Sequence, residues 1–381
     1  MITIIEEPNR VSAANLPMNI TINDDNETTL FYRVTIYGND NIVLGRLKLF
    51  KRGTDNTIDI SRILSNYVKT EINNSNNLFE SLEGGVRYNI SVLSYRNDGV
   101  VNDTYYSESK IAYNAGVNYL KFDVTDWYMD FSNITNKYSN FLTSKPEVTK
   151  IFKFQKEYLY FLADDLSGVN RFRITFYDYN NNILHTHNEA LSITNKIIHR
   201  FNLQPSNVLA INPAAHNAYK YTIALYHNSD RVSKERTYII DKSFDCNEPV
   251  CINWENFEGG VDSFTFINPR ETKASNKQLI QRGYIEYSNG RYSPYNSIIS
   301  NSLESTYKLT SLGISDEEFK SLTNIIGSLN TYVWINNTDI LPIIITTSSA
   351  QVKRKKYNGL LRFTLEFKSK PDLDLIIKYL D

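Results

Sequence analysis

The sequence predicts a mostly β chain. Two tandem β-sandwiches come first, followed by a C-terminal β-sandwich or barrel with a helix packed on it. Three observations carry this. A strand-and-turn pattern recurs at an offset of 140 residues. The composition favours strands, with 27 Tyr and 19 Phe among 381 residues. After about residue 244 the pattern changes to glycine turns, one capped helix and alternating strands.

The repeat is read from two segments. Residues 33–45 are RVTIYGNDNIVLG and residues 173–185 are RITFYDYNNNILH, identical at five of thirteen positions. Val34 and Ile36 face one way, and Arg33, Thr35 and Tyr37 the other; Ile174 and Phe176 repeat the first set. Alternation with a period of two that runs into an Asn-rich cluster reads as a strand and a turn. Similarity at this spacing indicates a duplicated domain rather than a short-repeat solenoid.

A second signal lies later in each half. Residues 82–92, LEGGVRYNISV, place Tyr88 after a glycine turn, with Ile90 and Val92 alternating behind it. This resembles the tyrosine corner of fibronectin type III domains, where the phenol bonds to the upstream backbone and pins two sheets together. The second half offers Ile211, Pro213, Tyr221, Ile223 and Leu225 with a longer turn and no glycine there. The reading is two Ig- or fibronectin III-like sandwiches at 1–116 and 145–243, joined by an aromatic and polar connector at 117–144. Residues 58–68 (IDISRILSNYV) space Ile60, Ile63, Leu64, Tyr67 and Val68 as in a helix, with Asp59 or Ser61 as its cap.

The C-terminal module is set at 244–381. Gly259 and Gly260 within WENFEGGVDSFTF (254–266) suit a tight turn, after which Phe264 and Phe266 alternate. A helix is expected over 315–329. Ser315 and Glu318 form a capping box, and Phe319, Leu322, Ile325, Ile326 and Leu329 form one apolar stripe. Strands follow at 332–335, 340–346 and 360–367. In the last, Leu361, Phe363, Leu365 and Phe367 face inward, and Arg362, Thr364 and Glu366 outward.

Charge and motifs narrow the function. The 41 basic and 42 acidic residues nearly cancel, so no general pull toward nucleic acid or an anionic membrane exists. The N-terminus has neither the basic start nor the apolar run of a signal peptide, and no stretch is long enough to span a membrane. Synthesis in a cytoplasm is expected, where the Asn-x-Ser/Thr triplets carry no glycans. Cys246 and Cys251 are too few for a disulfide scaffold or a structural zinc site and read as thiols in a reducing compartment.

No nucleophile-elbow, zinc-protease, P-loop or dinucleotide motif is present, so the chain reads as non-enzymatic, without catalytic, cofactor or metal residues. His185 and His187 with Glu189 form the best metal constellation, but a third firm ligand is missing and a solvated turn is favoured. Asp24, Asp25 and Glu27 lack the pattern of a calcium hand and read as a solvated loop. Asp164 and Asp165 are adjacent and would face opposite ways on a strand, so a turn is favoured over an acid–base pair. Trp254, Phe257, Phe264 and Phe266 either anchor a subunit interface or fill the C-terminal core. Lys353, Arg354, Lys355 and Lys356 top a hairpin. They are either a solvated tip or a contact to DNA or an acidic partner, from the lumen or the exterior of an assembly.

Three stretches carry a resemblance to structural proteins of Bacteroidota phages, the crAss-like podoviruses among them. They are EEPNRVSAANLPMNITI (6–22), FLTSKPEVTKIFKFQKEYLYFL (141–162), and WENFEGGVDSFTF taken with the run from the 315–329 helix through PIIIT (342–346) to LLRFTLEF (360–367). The resemblance implies a virion protein of the tail or its rings, with a tail-tube-like C-terminal module that joins sheets edge to edge. Its partners would be copies of itself and other tail, portal or adaptor proteins. The alternative function is a receptor- or carbohydrate-binding tail protein. An enzyme such as a sandwich-fold glycosidase needs two carboxylates at a set separation, and no pair is nominated.

Overall fold

The structure, a computed structural model, describes residues 1–72, 75–116, 126–129, 138–163, 170–191, 196–242, 249–281, 285, 287–292, 296–335, 339–347 and 360–369. The chain is mostly β and forms two compact units. The first is Met1–Asp241 with Glu255–Ser263, and the second is Lys242–Trp254 with Phe264–Asp381.

In the first unit the strands are β1 (Thr3–Glu6), β2 (Val11–Ala13), β3 (Asn19–Asn23), β4 (Thr29–Tyr37), β5 (Val43–Phe50), β6 (Asp55–Asp59), β7 (Phe79–Leu82), β8 (Val86–Arg96), β9 (Val101–Tyr106) and β10 (Lys110–Tyr113) in the first half. The second half holds β11 (Val148–Ile151), β12 (Tyr158–Leu162), β13 (Asn170–Tyr177), β14 (Ile183–Ala190), β15 (Ile198–Asn202), β16 (Lys220–His227), β17 (Asp230–Arg231) and β18 (Arg236–Ile240).

Two of the sheets repeat one strand order. One sheet runs β2-β10-β8-β4-β5 with β9 on β8, and its counterpart runs β11-β18-β16-β13-β14 with β17 on β16. Both begin with a parallel pair, β2 with β10 and β11 with β18. Both central hairpins carry the same irregularity, between Ile36 and Tyr37 and between Phe176 and Tyr177. Asn41 and Asn181 take left-handed backbone at the matching turn position, which Asn tolerates better than most residues. Val34, Ile36, Ile174 and Phe176 are fully buried, as the alternation predicts.

The opposing sheets differ. The first is β1-β3-β6, whereas the second is β12-β15-β7. Strand β7 comes from the first half and pairs with β15 from Ile198↔Leu82 to Phe201↔Phe79. Glu80 of β7 bonds Arg200 of β15. Ser81 hydroxyl lies 2.9 Å from His199 Nδ1, while His199 Nε2 lies 3.0 Å from the Ala163 carbonyl. A carbonyl only accepts, so Nε2 carries the proton and Nδ1 accepts from Ser81. Burial holds the ring neutral, with its pKa lowered to about 4.

Two local expectations are corrected. The tyrosine corner forms in the second half, where Tyr221 hydroxyl donates to the Leu203 carbonyl at 2.6 Å. Tyr88 is as deeply buried, but its hydroxyl has no partner. The glycines before it serve another end. A Cβ on Gly84 would lie 2.5 Å from the Lys69 carbonyl, and Gly84 accepts a bond from Lys69 N–H. The 58–68 helix shrinks to the single turn α1 (Ser61–Leu64), because Ile58 and Asp59 belong to β6. Asp59 caps it, accepting from the Ser61 N–H at 2.9 Å. Ile60 and Leu64 are buried, whereas Tyr67 is exposed. The next helix of the chain, α2 (Pro205–Leu209), lies just beyond the Leu203 carbonyl that Tyr221 engages.

The second unit is a closed barrel, ordered β19 (Val250–Glu255), β20 (Val261–Gln281), β23 (Asn296–Thr310), β26 (Thr364–Ser369), β25 (Asp339–Ile345), β24 (Thr331–Ile335). A small hairpin, β21 (Tyr287–Ser288) and β22 (Arg291–Tyr292), lies between β20 and β23 in sequence. The Ser315–Glu318 capping box forms with both bonds, 2.8 and 3.1 Å. The expected 315–329 helix is divided into α3 (Asp316–Leu322) and α4 (Asn324–Gly327). Phe319, Leu322 and Ile325 join Trp254, Phe266, Leu361, Phe363, Leu365 and Phe367 in the barrel core. Leu329 does not, because the chain turns extended at Ser328 and leaves that side chain 83% exposed. Among the described residues, no helix is long and apolar enough to cross a membrane.

Candidate functional site

Two features stand out from ordinary sandwich and barrel packing: a polar lock in the first unit and a long hairpin in the second.

The lock is built around the 255–263 turn. Gly259 has φ +96, and a Cβ there would lie 2.4 Å from the Asn114 carbonyl. A Cβ on Gly260 would lie 2.1 Å from the Leu142 carbonyl. Both positions are therefore restricted to glycine by backbone approach. Asn256 holds the turn, donating its side-chain amide to the Leu142 carbonyl and accepting from Gly260 N–H, each at 3.0 Å. Gly116 N–H donates to the Phe257 carbonyl at 2.9 Å.

Charged groups complete the lock. Asp262 accepts from Thr143 hydroxyl at 2.5 Å and from Ser144 hydroxyl at 2.6 Å. Lys145 Nζ reaches both Glu157 oxygens, at 2.9 and 2.6 Å, with side chains only 5% and 2% exposed. Gln155 amide and Ser263 hydroxyl also donate to Glu157, so its charge is well compensated. Glu258 is the exception. Burial, and then the Asp262 charge, push its carboxyl up to about 7. Its Oε2 is buried without a partner, as is the hydroxyl of Tyr113, whose ring would touch a Gly259 Cβ at 2.9 Å. Burial and the Glu258 charge raise the Tyr113 phenol well above its usual value.

The hairpin, hereafter the arm, is formed by β20 and β23. They pair from Ile267↔Thr310 out to Gln281↔Asn296. Strand β26 accompanies β23 only from Thr310↔Thr364 to Ser305↔Ser369. Beyond that point Ala274–Gln281 and the facing strand pair only with each other among the described residues. An isolated two-stranded hairpin is marginal in water. Leu279, Ile280, Ile298 and Ile299 are each more than half exposed. Leu279 opposes Ile298 and shares its face, while Ile280 faces the other side. Apolar residues therefore occupy both faces of a ribbon whose two edges pair with no other strand among the described residues. At 287–292 the chain closes a tight turn, with Asn289 at φ 51 and Gly290 at φ 77, and Tyr287 and Tyr292 ring centroids are 4.7 Å apart. Positive φ at both central residues is the type I′ geometry that Asn-Gly favours.

The residues nominated from sequence fall as follows. Trp254 and Phe266 are fully buried in the barrel's own core, and Phe264 packs against it half-buried. Phe257 is half-buried in the locked turn. The basic cluster Lys353–Lys356, the pair Asp164–Asp165 and Cys246 lie outside the described residues. Cys251 is buried, 3.6 Å from the Asn253 side chain.

His187 bonds Glu189 at 3.2 Å, and His185 stacks on Phe176. Among the described residues no group of three His, Cys, Asp or Glu could hold a metal ion. Asp24 departs from the solvated-loop expectation. It is buried and accepts from Asn26 N–H at 2.8 Å. Burial alone would raise its pKa, but bonds from Asn26 and Thr29 and the charge of Lys51 hold it below the usual range.

No protein-family model matches the chain, and no curated protein matches it. Among solved structures it is similar to native E. coli alpha-2-macroglobulin, at 8% identity and TM-score 0.20, over 97% of this chain and 27% of that one. It is also similar to the full extracellular region of plexin A4, at 8% identity and TM-score 0.18, over 100% of this chain and 41% of that one. The chain thus spans less than half the length of either protein.

Proposed function

We propose that this chain is a structural virion protein of a phage tail that assembles with copies of itself into a ring, as part of the tail barrel or tube or as an adaptor to its neighbours. The arm carries the reading. A ribbon apolar on both faces and open at both edges is a liability on a monomer and a joint in an assembly. Fully burying one such side chain is worth about 1.5–3 kcal/mol, so several together favour association strongly. The resemblance of residues 6–22, 141–162, and 254–266 taken with the run from 315–329 through 342–346 to 360–367, to Bacteroidota phage structural proteins supports the tail as its setting. In this reading the chain is not an enzyme, and other tail, portal or adaptor proteins flank its ring.

Gold-labelled antibody raised against the first unit, applied to purified particles, is expected to decorate the tail. Particles that carry no label after mild opening of the tail, while the free protein is labelled, would count against the reading.

A further inference from the structure

The first unit holds a further site beside the polar lock. A cavity of about 240 Å³ is walled by Trp127, Lys145, Pro146, Glu147, Lys234 and Arg236. Backbone bonds fix its frame. Ser139 N–H donates to the Val232 carbonyl at 3.0 Å, Lys234 N–H to the Ser139 carbonyl at 2.9 Å, and Thr237 N–H to the Glu147 carbonyl at 2.8 Å. Arg236, the first residue of β18, is only 6% exposed. Its two terminal nitrogens donate to consecutive carbonyls, of Lys145 at 3.0 Å and Pro146 at 2.7 Å, which holds the planar fork in one orientation. Its Nε is buried without a hydrogen-bond partner, and no carboxylate pairs with the guanidinium among the described residues. Buried charges ordinarily have a counter-charge.

The charges around the cavity select its ligand. Glu157 takes up the charge of Lys145, and Glu147 lies 3.5 Å from Lys234. Arg236 is left over, so the cavity favours a single negative charge. A carboxylate carries one and matches the planar donors of a guanidinium, whereas a phosphate monoester carries about 1.5 to 2. Volume and walls set the rest. The cavity is smaller than the roughly 300–1,000 Å³ of sites for drug-sized ligands, which leaves space for about one ring. Trp127 and Pro146 supply apolar wall, which suits the C–H face of a sugar.

We propose that this cavity binds a sugar acid, a single hexuronate residue, with Arg236 holding the carboxylate, Lys234 adding positive charge beside it and Trp127 against the ring. The arm takes no part in the site, so the inference does not rest on the assembly reading.

The test is a titration of the full chain with glucuronate and galacturonate at neutral pH, read by tryptophan fluorescence. Of the three Trp, Trp254 and Trp334 are at most 1% exposed, so a ligand-dependent signal reports on Trp127. Saturation with a Kd of about 1 mM is expected for a ligand of this size. Glucose has the ring without the charge, and acetate the charge without the ring. Each should bind about tenfold more weakly or worse. Lys234→Glu is expected to weaken binding about tenfold, and Glu147→Gln, which removes the opposing carboxylate, to tighten it severalfold. The Lys234 and Glu147 side chains are 46% and 62% exposed, so neither variant threatens folding, and unchanged urea midpoints check this. No saturation with either sugar acid overturns the proposal. Glucose or acetate binding as tightly as the sugar acids overturns it too, as do charge variants that leave the affinity unchanged.

Discussion

Replacing Glu157 by Ala is expected to destabilise the first unit by about 3–5 kcal/mol, because it leaves the Lys145 ammonium buried without its counter-charge. The geometry makes the loss large. Lys145 Nζ sits 2.6 Å from the nearer Glu157 oxygen, and neither side chain is more than 5% exposed. Water cannot replace the carboxylate, and Ser263 and Gln155, which also donate to Glu157, lose their acceptor. The double replacement Lys145→Met with Glu157→Leu removes both charges and keeps the volume, so much of the loss should return. Urea unfolding followed by circular dichroism measures this. A Glu157→Ala loss below about 1 kcal/mol would mean that the pair is hydrated.

The second large effect is a dependence on pH through Glu258. Burial first, and the Asp262 charge second, raise its carboxyl from 4.5 to about 7 in the folded protein. Below pH 4.5 both folded and unfolded chains are protonated there, and nothing is lost. Between 4.5 and about 7 the unfolded chain gives up the proton while the folded chain keeps it, so stability falls as pH rises. Above about 7 both are ionised and the loss is constant. It amounts to about 3 kcal/mol, at 1.36 kcal/mol for each pKa unit. Asp24 and Asp59, whose pKa values are lowered, act in the opposite sense and at lower pH, below the ordinary carboxylate value of 3.8. Glu258→Gln should therefore flatten the profile between pH 5 and 8 and raise stability at pH 8. Urea midpoints across that range that are equal in the parent and the variant would show that Glu258 is hydrated in the folded state.

The parts of the fold that were legible in the sequence are local. Val34, Ile36, Ile174 and Phe176 announced their strands because alternation and the Asn turn lie within one hairpin. The α3 cap was legible because Ser315 and Glu318 bond each other across three residues. The strand β7 was not, since Phe79–Leu82 is short and its partner begins more than a hundred residues later at Ile198. Tyr88 and Tyr221 show the same limit. The glycine turn marks Tyr88 more clearly than Tyr221 in sequence, yet which one finds a carbonyl depends on the upstream path of the chain.

The candidate site was harder to read than the fold. Trp254 and Phe266 fit an interface anchor and a core residue equally well as sequence, and the barrel core holds both. The arm was missed because Asn268 and Pro269 interrupt the alternation after Phe266, and the polar run to Gln278 has no buried face to pattern it. One signal for its far end was present. Asn289-Gly290 lies between Tyr287 and Tyr292, a strong local mark of a two-residue hairpin turn. The lock was missed for a different reason. Lys145, Gln155 and Glu157 carry no motif of their own, and their burial depends on the 255–263 turn that contacts them through Ser263.

The claim that the arm makes this an assembling protein is tested most directly by mass. Mass photometry of the intact 44.1 kDa chain at micromolar preparation should give a discrete peak at an integral multiple of that mass. Removing residues 274–304 and joining the strands with a short Asn-Gly turn should return it to the monomer. A single monomer peak for the intact chain would contradict the account, as would an oligomer that survives loss of the arm.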